Sequence, residues 1–295
     1  MTPRYPRSFA EIPMWAREQA RRPTEARLRF AQYAVLRAVT DSRILSDQLV
    51  FKGGNALDFI WQPNRSTQDL DFSVRDGIMD QSELRTLLNR ALEAATNELG
   101  ILLRLQRLRQ QPPGEGRTFI TYQIHIGYAL QDDVRNRALL EQSQPSPAII
   151  EVDISLNEPV CEDAFVDVQG THQLRVSTLE DIVAEKLRAL LQQPLRNRTR
   201  EQDLLDIAIV VRAQPALDRE KVGRFLIEKA AARQVPVSRA AFHDPEVARR
   251  ASQDYQRLRQ TAHTFIPLEE ALAVLYTFIG TLSIPEYTLQ GEGNR

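Results

Sequence analysis

The sequence predicts an α+β fold of two lobes, with strands only in residues 1–175 and an all-helical part over 176–295. Three observations carry this. Apolar runs of strand length and strand character recur at 70–74, 101–108, 118–128 and 148–156. After Ser177 the apolar period becomes helical and stays so to about residue 281. The glycine pair Gly53-Gly54 and the turn-rich QQPPGEG stretch punctuate the first part.

The elements follow in order. Pro23 precedes a helix over 24–38, on which Leu28, Ala31, Val35 and Ala38 keep the helical period. Leu49-Val50-Phe51 is a short apolar strand that runs into Gly53-Gly54. Asn55 is suited to cap the helix that starts there, and Pro63-Asn64 ends it. A helix over about 80–99 stops at Gly100. A short segment at 174–176 completes the strands. Ser177-x-x-Glu180 reads as a capping box for a helix over 179–191. Helices over 201–213, 218–233, 245–264 and 268–281 follow, and the last ten residues read as frayed.

Composition excludes several classes. No apolar run reaches the length of a membrane span, and the N-terminal stretch lacks the apolar centre of a signal peptide. One cysteine, Cys161, offers neither an internal disulfide nor a metal cluster. A cytoplasmic setting is expected. A net charge of -1 gives no global attraction to nucleic acid. Only four of the 38 basic residues are lysines: Lys52, Lys186, Lys221 and Lys229. A compact ammonium suits a phosphate as a point charge, so their positions bear on function. Histidines 125, 172, 243 and 263 show no ligand spacing. Trp15 and Trp61 read as core or interface anchors.

Asp69 and Asp71 alternate with Leu70, Phe72 and Val74, so both carboxylates leave one face of a strand. Such a pair is common on a solvent-facing edge. Held close, however, the two repel, and a divalent cation relieves that. Mg²⁺ prefers one or two carboxylates with phosphate oxygens and water. Glu151 and Asp153 share a face in the same way on the apolar strand over 148–156. Carboxylates on neighbouring strands suit two metals, one activating a hydroxyl and one holding a triphosphate. Gly53-Gly54 at a helix start exposes bare backbone N–H groups to a phosphate, and it is neither a P-loop nor a dinucleotide fingerprint.

Lys52-Gly53-Gly54-Asn55-Ala56-Leu57, followed by Arg65-Ser66-Thr67-Gln68-Asp69-Leu70-Asp71-Phe72, resembles the opening motif of the DNA polymerase β-like nucleotidyltransferase superfamily. More narrowly it resembles the AbiEii/MenT nucleotidyltransferase toxins, whose pattern is roughly K-G-G-T-A-L, then R-x-S-x-D-L-D-F. Asn55 and Thr67 stand where Thr or Ser and Ser are usual; both keep a polar side chain. Ala184-Glu185-Lys186-Leu187-Arg188-Ala189-Leu190 and Arg200-Glu201-Gln202-Asp203-Leu204-Leu205-Asp206 resemble two further family segments, so the likeness touches about residues 30–212. Independently, Ile182, Lys186 and Leu190 share one helix side, which places a lysine in an apolar stripe. Such a lysine needs an anion, either a triphosphate or Asp203, unless it snorkels at the stripe edge. The basic 196–200 stretch is placed to meet an RNA backbone, or is simply solvated.

The resemblance implies a bilobed protein with a polymerase β-like nucleotidyltransferase core and a C-terminal helical lobe. It implies a toxin of a toxin–antitoxin or phage-defence system that transfers NMP from an NTP to an acceptor hydroxyl. The expected acceptor is a tRNA 3′ end, the expected cofactor Mg²⁺ or Mn²⁺, and the expected partner an antitoxin encoded nearby. Asp69, Asp71 and Asp153 are the metal and catalytic carboxylates. Lys52, Gly53, Gly54, Arg65 and Thr67 seat the nucleotide. Lys186 neutralises the triphosphate and Asp203 positions Lys186 or the acceptor. Two alternatives stay open: the same chemistry on a small molecule or a protein hydroxyl, and a non-catalytic nucleotide-binding module.

Overall fold

A computed structural model describes residues 5–19, 21–65, 67–75, 79–114 and 117–287. The motif residue Ser66, the Glu115-Gly116 end of the turn-rich stretch and most of the terminus read as frayed, 288–295, lie outside the described residues. The chain divides into two compact units, Met1–Ser177 and Thr178–Arg295. No helix among the described residues is long and apolar enough to cross a membrane.

The first unit opens with helices α1 (Ile12–Glu18), α2 (Pro23–Asp41) and α3 (Arg43–Gln48). Strand β1 (Leu49–Lys52) leads into α4 (Gly53–Ala56), which continues as a π-helical turn over Leu57–Trp61. Then come β2 (Leu70–Val74), α5 (Gln81–Leu99), β3 (Leu102–Gln111), β4 (Ile120–Ala129), α6 (Val134–Glu141), β5 (Ile149–Leu156), β6 (Asp163–Val166) and β7 (Leu174–Ser177). The strands form one mixed sheet in the order β3-β4-β5-β2-β1-β7-β6. β1 pairs antiparallel with β2 and parallel with β7, and β2 pairs parallel with β5.

One face of this sheet is apolar and packs under α2 and α5. Phe51 and Phe72 meet on it with ring centroids 5.2 Å apart, and Leu70, Ile124, Val152 and Ile154 are buried around them. Asp80 caps α5 by accepting from the Ser82 and Glu83 amides, and Gly100 closes it in the left-handed region. The opposite face carries the alternating polar residues of β2, β4 and β5.

The second unit holds α7 (Leu179–Arg196), α8 (Glu201–Ala213), α9 (Arg219–Ala232), α10 (Arg239–Phe242), α11 (Pro245–Ser252) and α12 (Leu268–Gly280). Helix α7 packs against α8, α9 and α11, and α12 packs on α8. The expected capping box is corrected. Thr178, not Ser177, caps α7, its hydroxyl accepting from the Asp181 amide at 3.3 Å, while Ser177 ends β7. The helix also runs past residue 191 through Pro194. The proline leaves the Leu190 carbonyl without its helical donor, and Gln193 Nε2 supplies one at 3.1 Å. The expected helix over 245–264 is instead α11 and a 3₁₀ turn over Tyr255–Gln260, because Gln253 is extended and Asp254 is left-handed at φ 58°. Asn55 does not cap its helix; the helix begins at Gly53, and Asn55 lies inside it.

Lys229 of α9 and Asp181 of α7 form a buried ion pair at 2.9 Å. Breaking a buried pair leaves a charge without its counterion. Lys229→Ala is expected to cost about 3–5 kcal/mol and lower Tm by roughly 10 °C. The double substitution Lys229→Met with Asp181→Leu should recover most of that loss, measured by thermal unfolding.

Candidate active site

Strand β1 ends at Lys52, and the chain turns at Gly53 with φ 72°. A Cβ on Gly53 would lie 2.4 Å from Asp71 Oδ2, so both conformation and space demand glycine. A Cβ on Gly54 would lie 2.9 Å from Thr67 Cγ2 and 3.4 Å from Arg65 Nη2. Gly54, Arg65 and Thr67 therefore crowd one spot beside the Gly53 turn. Arg65 is buried there, and the buried Thr67 hydroxyl makes no hydrogen bond.

The carboxylates stand on the polar face of the sheet. Asp71 of β2 is directly paired with Asp153 of β5 on one side and with Lys52 of β1 on the other. Paired residues share a face, about 5 Å apart from strand to strand. Asp69 lies two residues before Asp71 and interacts electrostatically with Asp153, Asp71 and Glu151. Burial pushes the Asp71 carboxyl up to about 7, against the pull of Lys52 and with the push of Asp153, Asp69 and Glu158. Burial likewise raises Asp153, with Asp69 and Glu151 adding and Lys52 and His125 opposing. Burial and Glu151 raise Asp69.

Lys52 does not neutralise this cluster by itself. Its ammonium is ion-paired with Glu158 and donates to Ser155 Oγ at 3.3 Å. Among the described residues no group of three or more His, Cys, Asp or Glu is closed up enough to hold a metal ion as it stands. The donor set nevertheless suits Mg²⁺, which takes one or two carboxylates and draws its other ligands from phosphate and water. Mutually raised carboxylates facing one shared lysine leave a deficit of positive charge that a divalent cation would fill.

The loop that presents Asp69 is fixed from behind. Gln32 Nε2 of α2 donates to the Thr67 and Gln68 carbonyls, each at 3.0 Å. Asn55 Nδ2 donates to the Thr67 carbonyl at 3.3 Å and also to the Asp69 carbonyl. Asn55 Oδ1 in turn accepts from Arg29 Nη1 at 3.2 Å. Arg29 is ion-paired with Asp58, and its guanidinium lies 4.1 Å from the Phe59 ring centroid. Sequence reading missed Arg29 and Gln32, because contacts to groups distant in the chain leave no local pattern.

Lys186 and Asp203 belong to the second unit and pair there. The buried Lys186 ammonium donates to Asp203 Oδ1 and Asp206 Oδ2, both at 2.8 Å. Asp206, the last residue of the second family segment, joins this pair on α8. Its signal was the i, i+3 spacing from Asp203 on α8.

The model of a family described as nucleotidyl transferase AbiEii toxin, type IV toxin–antitoxin system, matches residues 34–275. The chain is similar in structure to MenT4, a nucleotidyltransferase toxin from Mycobacterium tuberculosis H37Rv, at TM-score 0.54 and 17% identity, over 92% of this chain and 90% of that one. It is also similar to JHP933 from Helicobacter pylori, at TM-score 0.51 and 18% identity, over 87% and 89% of the two chains. No curated protein matches.

Two outcomes are expected from the site's charges. Lys186→Ala removes the cation shared by two buried carboxylates and should cost about 3–5 kcal/mol; adding Asp206→Asn should restore at least half of the lost Tm. An unchanged Tm in Lys186→Ala would contradict a structural pairing. Asp71 holds its proton to higher pH when folded than when unfolded, so its ionisation opposes folding, fully so above about pH 7 and not below about pH 4. Metal-free Asp71→Asn should therefore melt roughly 5 °C above wild type at pH 8. The gain should fade toward pH 4, and Mg²⁺ should raise the Tm of wild type only.

Proposed function

Because the chain belongs to the AbiEii family of nucleotidyltransferase toxins and has the polymerase β-like fold, we propose that it transfers NMP from an NTP to the 3′ hydroxyl of an RNA, a tRNA in the first instance. The observation that carries the reading is the cross-strand row of Lys52, Asp71 and Asp153, with Asp69 beside it and Gly53 pressed against Asp71.

In this reading Asp69 and Asp71 hold Mg²⁺ or Mn²⁺, with Asp153 as the third carboxylate. A bound ion supplies charge neutralisation for the triphosphate and a lower pKa for the acceptor hydroxyl. Gly53 and Gly54 admit a phosphate to the backbone at the start of α4. Arg65 and the unsatisfied Thr67 hydroxyl meet its oxygens. Lys52, shared with Glu158, adds positive charge at the edge. Asp153, whose carboxyl is raised, takes the proton of the acceptor hydroxyl. The acceptor oxygen then bonds to the α-phosphorus, and pyrophosphate leaves in line. From the family motif, Lys186 is assigned to the triphosphate and Asp203 to holding its ammonium; the 2.8 Å contact supports the second role.

The family description implies an antitoxin that counters the protein, which we assign to a neighbouring gene. We take growth arrest, in phage defence or otherwise, as the consequence of blocked tRNA. Incubation with Mg²⁺, each α-labelled NTP in turn and total RNA tests the reading. Label on tRNA-sized RNA is expected, absent with Asp69→Ala and absent with EDTA. Label confined to protein or to a small molecule overturns the RNA acceptor. No transfer to any acceptor favours a non-catalytic nucleotide-binding module.

A further inference from the structure

Strand β3 lies at the edge of the sheet and carries Arg104, Arg107 and Arg109 with no acidic residue. The pairing register continues the active-site row onto it. Asp153 pairs with Gln123, and Gln123 with Arg109. Glu151 pairs with His125, and His125 with Arg107. All of these side chains therefore leave the carboxylate-bearing face.

A bulge between Leu105 and Arg107 sharpens the pattern. Arg104 opposes Gly127, whereas Arg107 opposes His125. Three residues apart on a regular strand, Arg104 and Arg107 would point to opposite faces; the bulge turns both to the same one. None of the three arginines makes an ion pair or a side-chain hydrogen bond among the described residues, and Arg107 Nε is buried without a partner. An edge strand carries charge to discourage pairing with other sheets, but either sign serves that end. Here the sign is uniform, and its orientation follows the active-site row.

We infer that Arg107 and Arg109, aided by Arg104, form a rail for the phosphates of the acceptor RNA strand a few nucleotides before its reacting 3′ hydroxyl. The face passes from carboxylates on β2 and β5, through Gln123 and His125 on β4, to arginines on β3. The rail stands three strand spacings from Asp71, roughly 14 Å. The inference rests on the RNA acceptor proposed above.

The test is the double substitution Arg107→Gln with Arg109→Gln, assayed by label transfer to total tRNA. KM for RNA should rise about ten- to hundredfold, while kcat and KM for the NTP stay unchanged. The slope of log kcat/KM against log salt should become shallower by about 1.4, since each single-strand phosphate contact contributes about 0.7. Arg107→Lys with Arg109→Lys keeps the charge and should keep the wild-type salt slope. If the double glutamine variant melts early, Arg109→Glu at the exposed end replaces it, with the same rise in RNA KM expected. Unchanged RNA KM, or a rise in NTP KM instead, overturns the rail while leaving the RNA acceptor intact. Wild type that labels no RNA at all removes the acceptor reading, and the rail with it.

Discussion

The first unit is organised around the absence of a side chain at residue 53. Asp71 is half-buried on the polar face, and its carboxylate fills the volume that any Cβ on Gly53 would occupy. The positive φ of Gly53 then turns the end of β1 directly into α4. One backbone position therefore brings a helix start and that carboxylate together. The arrangement stores electrostatic cost, because Asp71 faces Asp153 and Asp69 with only a shared lysine in compensation. Perturbed carboxylates of this kind cluster at functional sites, and a cation with a phosphate would relieve the cost here.

The lysines follow the same logic in reverse. Their scarcity suggested phosphate sites, yet Lys52, Lys186 and Lys229 each meet a carboxylate of their own unit. Lys186 meets two, and Arg200 lies 3.8 Å from the far oxygen of Asp203, so the cluster is balanced within its own unit. A phosphate brought to that ammonium would compete with two carboxylates for three donors. The ion pair thus gives Lys186 a packing role in α7 and α8 beside any role toward substrate.

Much of the fold was legible because its signals are local. The alternation of Ile150, Val152 and Ile154 with Glu151 and Asp153 fixes a face. Asp80 and Gly100 mark the ends of α5 in a few residues of sequence. The Gly-Gly turn and Asp-x-Asp were legible as a pair, and the register supplies what sequence cannot: that Asp153 stands opposite Asp71. The failures are equally local in cause. Asn55 reads as a cap because its chemistry suits one, but its amide is taken by carbonyls twelve and fourteen residues away. Ser177 lost the cap to Thr178 because β7 extends one residue further than its apolar pattern. Helices α3 and α6 were missed because they are short, and their apolar residues do not complete a stripe.

The distribution of charge across the sheet bears on how a polyanion reaches a carboxylate cluster. A phosphodiester strand approaching Asp69, Asp71, Asp153 and Glu151 would meet four carboxylates of like charge on this face. Screening does little for partly buried charges at these separations. Attraction placed elsewhere on the same face would change that balance, because the upstream phosphates of a proposed RNA acceptor would be held while only its terminal hydroxyl crossed to the acids. On strand β3, Arg107 and Arg109 share this face by their spacing, and the bulge adds Arg104, which would otherwise face away from them. A register defect at a sheet edge is thus what gathers three arginines on the face that the aspartates occupy.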